Sequence, residues 1–412
     1  MKVLLVSASD RIGGAAIATH RLHKALQREG VESEMLVLRK VTADPTVHRL
    51  ASRLNRWRRI PRRLGAARHR SLLARNPRAL ESGYWSLNLF GYPIAAAINS
   101  FGADLVHLNW VGDNYLPIDE VTRINAPIVW TLHDMWAFTG GCHTAYECLK
   151  FQTGCGNCPQ LVAGAPGDIS ARVNQKKQRA WSDVPMTVVC PSRWLADCAR
   201  GSAVFKGKAI EVIGYTFDPA VFKPIDPAVA RQAFNLPADK KLILFGAIGG
   251  AADPHKGFRF LREALRGLSE DSNLELVTFG GEGAAELGLS LPCHQIGQLR
   301  DEVSVSLLYT ACDIYVLPSL QENLPNTVIE ALACGTPCVS FAGSGTTDLV
   351  QHKENGYLAR LRDSDDLLTG IRWALAQSWP RNELHEWIVE RHNRNFICEQ
   401  YISLYQSLLA SA

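Results

Sequence analysis

The chain has 412 residues, 47% of them hydrophobic and 20% charged, which fits two domains of ordinary size and excludes both a disordered and a low-complexity protein. No apolar run approaches the roughly 20 residues needed to span a bilayer, and eleven scattered cysteines, an odd number, do not make a secreted disulfide framework. The net charge of +4 is unevenly spread. Residues 45–80 hold eleven arginines and no acid, so subtracting those eleven positive charges leaves −7 for the rest.

The N-terminus opens with one lysine, a short apolar run and a Gly13-Gly14 pair, which reads as a buried strand entering a glycine loop rather than a signal peptide, so the expected location is cytoplasmic. Short apolar runs then alternate with longer amphipathic stretches. Strands are expected at 2–6, 35–38, 105–108, 128–132, 186–190 and 211–213 in the first half. In the second half they are expected at 241–245, 274–279, 314–317 and 337–341. Continuous apolar strands separated by helices indicate a parallel sheet covered on both faces. Residues 214–227 carry Pro219, Pro224 and Pro227 and suit a linker. The expected fold is α/β: two doubly wound Rossmann-like domains, 1–214 and 228–385, facing a central cleft. Helical residues 386–412 are expected to pack back towards the first domain.

The densest motif runs from Pro318 to Pro337. Its loop holds Glu322 and Asn323; a helix opens near Pro325–Thr327, carries Glu330, and stops at Gly335. Unbonded backbone N–H groups at such a helix start favour a phosphate, and carboxylates accept well from sugar or ribose hydroxyls. This segment resembles the retaining glycosyltransferases of family 4, whose signature has two glutamates at this spacing followed by Glu-Ala-x-Ala-x-Gly-x-Pro. The resemblance implies the GT-B fold. It implies that Glu330 holds the ribose, that Glu322 with the backbone at Asn323 and Leu324 holds the transferred sugar, and that Pro325, Asn326 and Thr327 border the phosphates.

A second matching segment is Asp253-Pro254-His255-Lys256-Gly257. A lysine beside glycine in a strand-to-helix loop suits a diphosphate, and the family places its phosphate-binding lysine there, so Lys256 is the candidate. The family's upstream arginine is replaced by Gly249-Gly250-Ala251, and Arg300 is a substitute cation. In the first half, Gly13 and Gly14 form the loop that the family turns to the cleft. His133, at the end of the strand 128–132, matches the family's cleft histidine near the reacting carbon. Gly297 lies in the loop expected near the base. Asp363-Ser364-Asp365 resembles a metal-binding Asp-x-Asp but precedes an apolar helix, where capping explains it better. Catalysis is therefore expected to need no metal or other cofactor.

Two features lie outside that core. Cys142, Cys148, Cys155 and Cys158, within the loop 141–160, have spacings suited to a structural tetrahedral zinc, with free thiols or disulfides as alternatives. The segment has the form found in the colanic-acid, exopolysaccharide branch of the family. Arg49–Arg78, interleaved with leucines and Trp57, suits an interfacial helix on an anionic membrane, against a plain solvated helix surface. No nucleic-acid motif accompanies it. The resemblance implies a hexosyltransferase, peripheral on the inner face of the plasma membrane. It would use a UDP- or GDP-linked sugar and a glycan or lipid-linked acceptor in cell-surface polysaccharide synthesis. The other readings are an inactive nucleotide-sugar-binding partner subunit and a nucleotide-sugar epimerase.

Overall fold

The computed structural model describes residues 1–50, 71–72, 84–162, 164–246, 253–281, 289 and 291–411. The chain divides into two compact units, Met1–Tyr215 with Ile397–Ala412, and Thr216–Phe396.

In the first unit the elements are β1 (Lys2–Ser9), α1 (Gly14–Arg28), β2 (Glu32–Arg39), β3 (Val47–Arg49), α2 (Ala95–Asn99), β4 (Leu105–Leu108) and β5 (Ile128–Thr131). α3 (Ile169–Trp181), β6 (Met186–Cys190), α4 (Arg193–Arg200) and β7 (Ala209–Val212) follow. The seven strands pair in parallel in the order β3-β2-β1-β4-β5-β6-β7. The central strands are mostly apolar because helices or loops cover both faces: β4, β5 and β6 are buried at every residue, the polar His107, Thr131 and Thr187 included. The C-terminal helix Arg394–Ala410 buries Ile397, Cys398, Tyr401 and Tyr405, a stripe spaced close to the helical turn, in the same core cluster as Val3, Leu5, Val129 and Val189. Two tyrosine hydroxyls extend that contact into the sheet: Tyr405 pairs with His107 Nδ1 at 2.7 Å and Tyr401 with Thr131 Oγ1 at 3.0 Å. The return to the first unit thus begins at Ile397, beyond the residue 386 expected from sequence, because the helix Arg381–His392 stays with the second unit.

The second unit runs α5 (Pro227–Ala233), β8 (Lys241–Gly246), α6 (Phe258–Arg266), β9 (Leu274–Phe279), β10 (Cys293–Gly297), α7 (Glu302–Ala311) and β11 (Ile314–Leu317). It closes with α8 (Asn326–Ala333), β12 (Cys338–Phe341), β13 (Gly356–Ala359), α9 (Ser364–Ala376) and α10 (Arg381–His392). Six parallel strands take the order β10-β9-β8-β11-β12-β13. Asp363 accepts from the Asp366 amide at the start of α9, so that Asp-x-Asp segment is a helix cap. Both sheets are Rossmann-like. Each reverses its strand order beside its first strand, between β1 and β4 and between β8 and β11. In such sheets ligands bind beyond the carboxyl ends of the strands at that reversal.

Candidate functional site

In the second unit, the loops leaving β8 and β11 converge. Lys256 ends a short 3-10 turn, Pro254–Lys256, capped by Asp253, whose carboxylate accepts from the His255 amide. Gly257 follows at φ 65°, a left-handed conformation, and a Cβ there would lie 1.9 Å from the Pro318 carbonyl oxygen. Only glycine allows this approach. Leu320 N–H donates to the His255 carbonyl, tying the two loops together. As a result Lys256 Nζ stands 2.7 Å from Glu322 Oε1. Burial opposes both charges, but each outweighs it for the other: Lys256 titrates above its ordinary value and Glu322 below.

Glu322 is held at its backbone, where its N–H donates to Ser344 Oγ at 3.0 Å and its carbonyl accepts from the Gly345 amide. Asn323 and Leu324 are buried, and Pro325 precedes the first turn of α8 without a side-chain cap. Asn326 and Thr327 form that first turn, and Glu330, on its second turn, is buried with Tyr309 Oη donating to its Oε2 at 3.5 Å. Gly297 ends β10 at φ 74°, its carbonyl accepting from the Gly280 amide. Arg300 is exposed just beyond it. Residues 249–251, where the family carries a second cation, lie outside the described residues.

In the first unit, α1 starts at Gly14 directly after Gly13, whose φ of 90° only glycine takes readily and whose missing side chain opens onto empty space. His133 follows β5. Its Nε2 meets Asn109 Oδ1 at 3.1 Å, and because Asn109 Nδ2 donates to the His107 carbonyl, that oxygen is the acceptor. Nε2 therefore carries the proton and Nδ1 accepts from Tyr215 Oη at 2.7 Å. Burial lowers His133 to about 4, against the pull of Asp134, so the ring is neutral near pH 7. A sugar hydroxyl reaching this ring must exchange with Asn109 or Tyr215.

A set of residues that the sequence reading did not single out lies beside it. Asp134 pairs with His143 Nδ1 at 2.6 Å, and His143 Nε2 with Ser86 Oγ at 2.8 Å. His143, directly after Cys142 in a polar loop, was the available signal. With Trp110, His133 and Asn109, Asp134 and His143 border a small pocket of about 220 Å³.

Cys142, Cys148, Cys155 and Cys158 line another pocket, of about 290 Å³. All are free thiols, so the disulfide alternative is not formed. Burial pushes Cys155 up to about 12, and Cys142 and Cys158 upward as well, which keeps them protonated. Among the described residues no group of three or more His, Cys, Asp or Glu is arranged to hold a metal. The zinc expectation therefore has no support in this arrangement, since a zinc ligand must be a gathered thiolate. Lys177 is buried nearby. It donates to the Trp136 and Thr139 carbonyls, and burial lowers it to about 7. Of the arginine segment only Arg49 is described; the remaining arginines and the expected membrane helix lie outside the described residues. No helix among the described residues is long and apolar enough to cross a membrane.

Residues 12–220 match the model of Glycosyltransferase Family 4, and residues 228–391 that of glycosyl transferases group 1. The first match takes in half the chain, and the chain belongs to Glycosyltransferase Family 4. One relative is the N,N'-diacetylbacillosaminyl-diphospho-undecaprenol alpha-1,3-N-acetylgalactosaminyltransferase of Campylobacter jejuni, 29% identical over 42% of this chain and 47% of its own. The matched part spans about half the length of such curated relatives, or less. Among solved structures, sucrose-phosphate synthase from Thermosynechococcus elongatus superposes with a TM-score of 0.70 at 19% identity, covering 100% of both chains. Anabaena HepE, in complex with UDP and glucose, gives 0.66 at 16% identity, over 99% of this chain and 100% of that one. These likenesses are of fold, GT-B, with one Rossmann-like sheet in each unit.

Proposed function

We propose that the chain is a retaining hexosyltransferase that moves a sugar from a UDP- or GDP-linked donor to a glycan or lipid-linked acceptor in cell-surface polysaccharide synthesis. The observation that carries this reading is the Lys256–Glu322 pair, 2.7 Å apart beyond the ends of β8 and β11, with the start of α8 and Glu330 on the same loop-helix segment. A sugar leaving its diphosphate develops negative charge on the leaving oxygens. Lys256 and the amide end of α8 are the groups suited to receive it. On donor binding Lys256 exchanges Glu322 for the diphosphate, and Glu322 takes sugar hydroxyls in its place. Glu330 accepts from the ribose hydroxyls. His133, neutral, offers the first unit's hydrogen bond near the reacting carbon. The acceptor proton leaves through a leaving-group phosphate oxygen, so the reading needs neither an enzymic nucleophile nor a metal. The working location is the inner face of the plasma membrane.

Thermal shift against UDP, GDP, ADP and TDP tests it, with Glu330→Ala as control. A ligand that binds only the folded state raises the melting temperature by mass action. One nucleotide should stabilise the wild type and lose its effect in the variant. No shift with any of the four at millimolar concentration would sink the donor reading.

A further inference from the structure

Asp134 is held from one side by three donors. Its Oδ2 accepts from Trp110 Nε1 at 2.7 Å and from His143 Nδ1 at 2.6 Å, and its Oδ1 accepts from the Trp136 amide at 2.8 Å. Behind His143, Ser86 Oγ meets Nε2 at 2.8 Å and itself accepts from the Asp113 amide at 2.9 Å. The three side chains form a serine–histidine–aspartate chain, but in reverse exposure. In a hydrolase the serine hydroxyl is the accessible end. Here Ser86 is 2% exposed and the His143 side chain 6%, whereas that of Asp134 is 24% exposed. The end of this chain that a ligand can reach is therefore the aspartate. A carboxylate oxygen has two lone pairs, and Oδ1 uses one of them, so one acceptor position remains.

The surroundings define what suits that position. Burial opposes the charge, but His143, the Trp136 amide and Trp110 together outweigh it and hold Asp134 below the usual carboxylate range, so it is ionised at neutral pH. Among the described residues no lysine or arginine pairs with it. Three aromatic rings surround the imidazole: Trp110 at 5.4 Å, Tyr84, edge-on, at 6.2 Å and Trp136, stacked, at 6.4 Å between centroids. Tyr84 is 76% exposed. A fixed carboxylate bonded to Trp110, with the exposed Tyr84 ring packed on its imidazole partner, suits an uncharged sugar, whose hydroxyl donates to the oxygen while its C–H face lies on an aromatic ring. The same carboxylate repels a phosphate or a carboxylic acid.

We propose that Asp134, hydrogen-bonded to Trp110 and with Tyr84 packed on its imidazole partner, is the acceptor subsite and takes an uncharged sugar, with Oδ1 accepting a hydrogen bond from an acceptor hydroxyl. His143 and Ser86 are positioning residues that fix the carboxylate. This rests on the glycosyltransferase reading above and adds to it the chemical class of the acceptor.

The test uses the full-length protein and the nucleotide sugar whose nucleotide stabilises it. Neutral probes are para-nitrophenyl glucoside, galactoside and mannoside; anionic probes are myo-inositol 1-phosphate and L-malate. The wild type should transfer to at least one neutral glycoside and to neither anion. Asp134→Asn should lower kcat/KM for that glycoside by about 100-fold or more while the nucleotide-induced thermal shift is retained. Tyr84→Ala, at an exposed position, should raise the glycoside KM roughly 5- to 20-fold with little change in kcat. His143→Gln should move the acid limb of the pH–rate profile upward, because Asp134 loses its imidazole partner. If Asp134→Asn does not fold, the Tyr84 and His143 variants decide. Transfer to an anionic probe, no transfer to any neutral glycoside, or wild-type kinetics in the Tyr84 and His143 variants overturns the subsite and leaves the donor reading standing. Absence of any nucleotide shift in the wild type brings down the donor reading, and the subsite with it.

Discussion

At the scale of single residues, the second unit's candidate site depends on Gly257 as much as on the charges it brings together. The left-handed backbone there lets the Lys256 turn close on the Pro318 carbonyl, and a methyl group would stand 1.9 Å from that oxygen. Gly257→Ala should cost at least about 1–2 kcal/mol from the backbone conformation alone. It should also push Lys256 away from Glu322, weakening the nucleotide's stabilising effect about tenfold or more in apparent affinity, read by thermal shift at graded concentrations. Lys256→Ala should spare the loop geometry and remove only the charge. Because it leaves Glu322 buried without its cation, the carboxylate should titrate higher. A fall in nucleotide affinity in both variants, with a lower melting temperature mainly in Gly257→Ala, would separate the two roles. The two glutamates, Lys256 and His133 were singled out from sequence because their motifs resemble those of the family, and the fold brings Lys256 to Glu322. Ser86 was not, because it meets Asp134 and His143 only through the fold; His143 had only its place after Cys142 to mark it.

At the scale of elements, the internal strands were legible and the edges were not. β1, β4, β5, β6, β8, β9, β11 and β12 are apolar runs because covering on both faces leaves no room for a polar alternation. β3 and β10 border their sheets and read Val-His-Arg and Cys-His-Gln-Ile-Gly, half-exposed mixtures with no period to detect. β13, also at an edge, is four residues long and opens with glycine. β7 is another edge strand, and it starts two residues and ends one residue before its expected position for the same reason. The C-terminal helix makes a different point. Its contact with the sheet is partly polar, and His107, fully buried, relies on Tyr405 Oη at Nδ1 and Thr131 Oγ1 at Nε2. Tyr405→Phe keeps the ring and deletes one partner, so it should cost about 1–3 kcal/mol in chemical denaturation. Tyr405→Phe at wild-type stability would mean that the hydroxyl contributes nothing to holding the helix down.

At the scale of the whole molecule, buried histidines set the response to acid. Burial lowers His107 to about 3, and burial with Lys24 nearby lowers His23 to about 3. Both are fully inaccessible. An unfolded histidine takes a proton near pH 6.5, so between that value and the folded value the unfolded chain binds more protons, and stability falls as pH falls. At pH 5 each should cost about 2 kcal/mol relative to neutral pH. The melting temperature should therefore drop well before carboxylates such as Glu322 begin to titrate, and a flat profile from pH 7 to 5 would contradict it. Replacing His23 by glutamine should flatten part of the slope.

The first unit's sheet is threaded early, but the helix that covers one side of it comes last in the chain. A nascent chain that has emerged only as far as Tyr215 already contains His107, Val3, Leu5, Val129 and Val189, yet lacks Tyr401 and Tyr405. Its half-built domain must wait, with an apolar face and an imidazole short of one partner at Nδ1, while all of Thr216–Phe396 is synthesised and free to fold. Birth order and completion order are thus reversed: the unit made first is finished second. A fragment ending at Tyr215 should be poorly soluble alone and be rescued by a separate peptide carrying residues 394–411, which would turn a covalent tail into a measurable ligand.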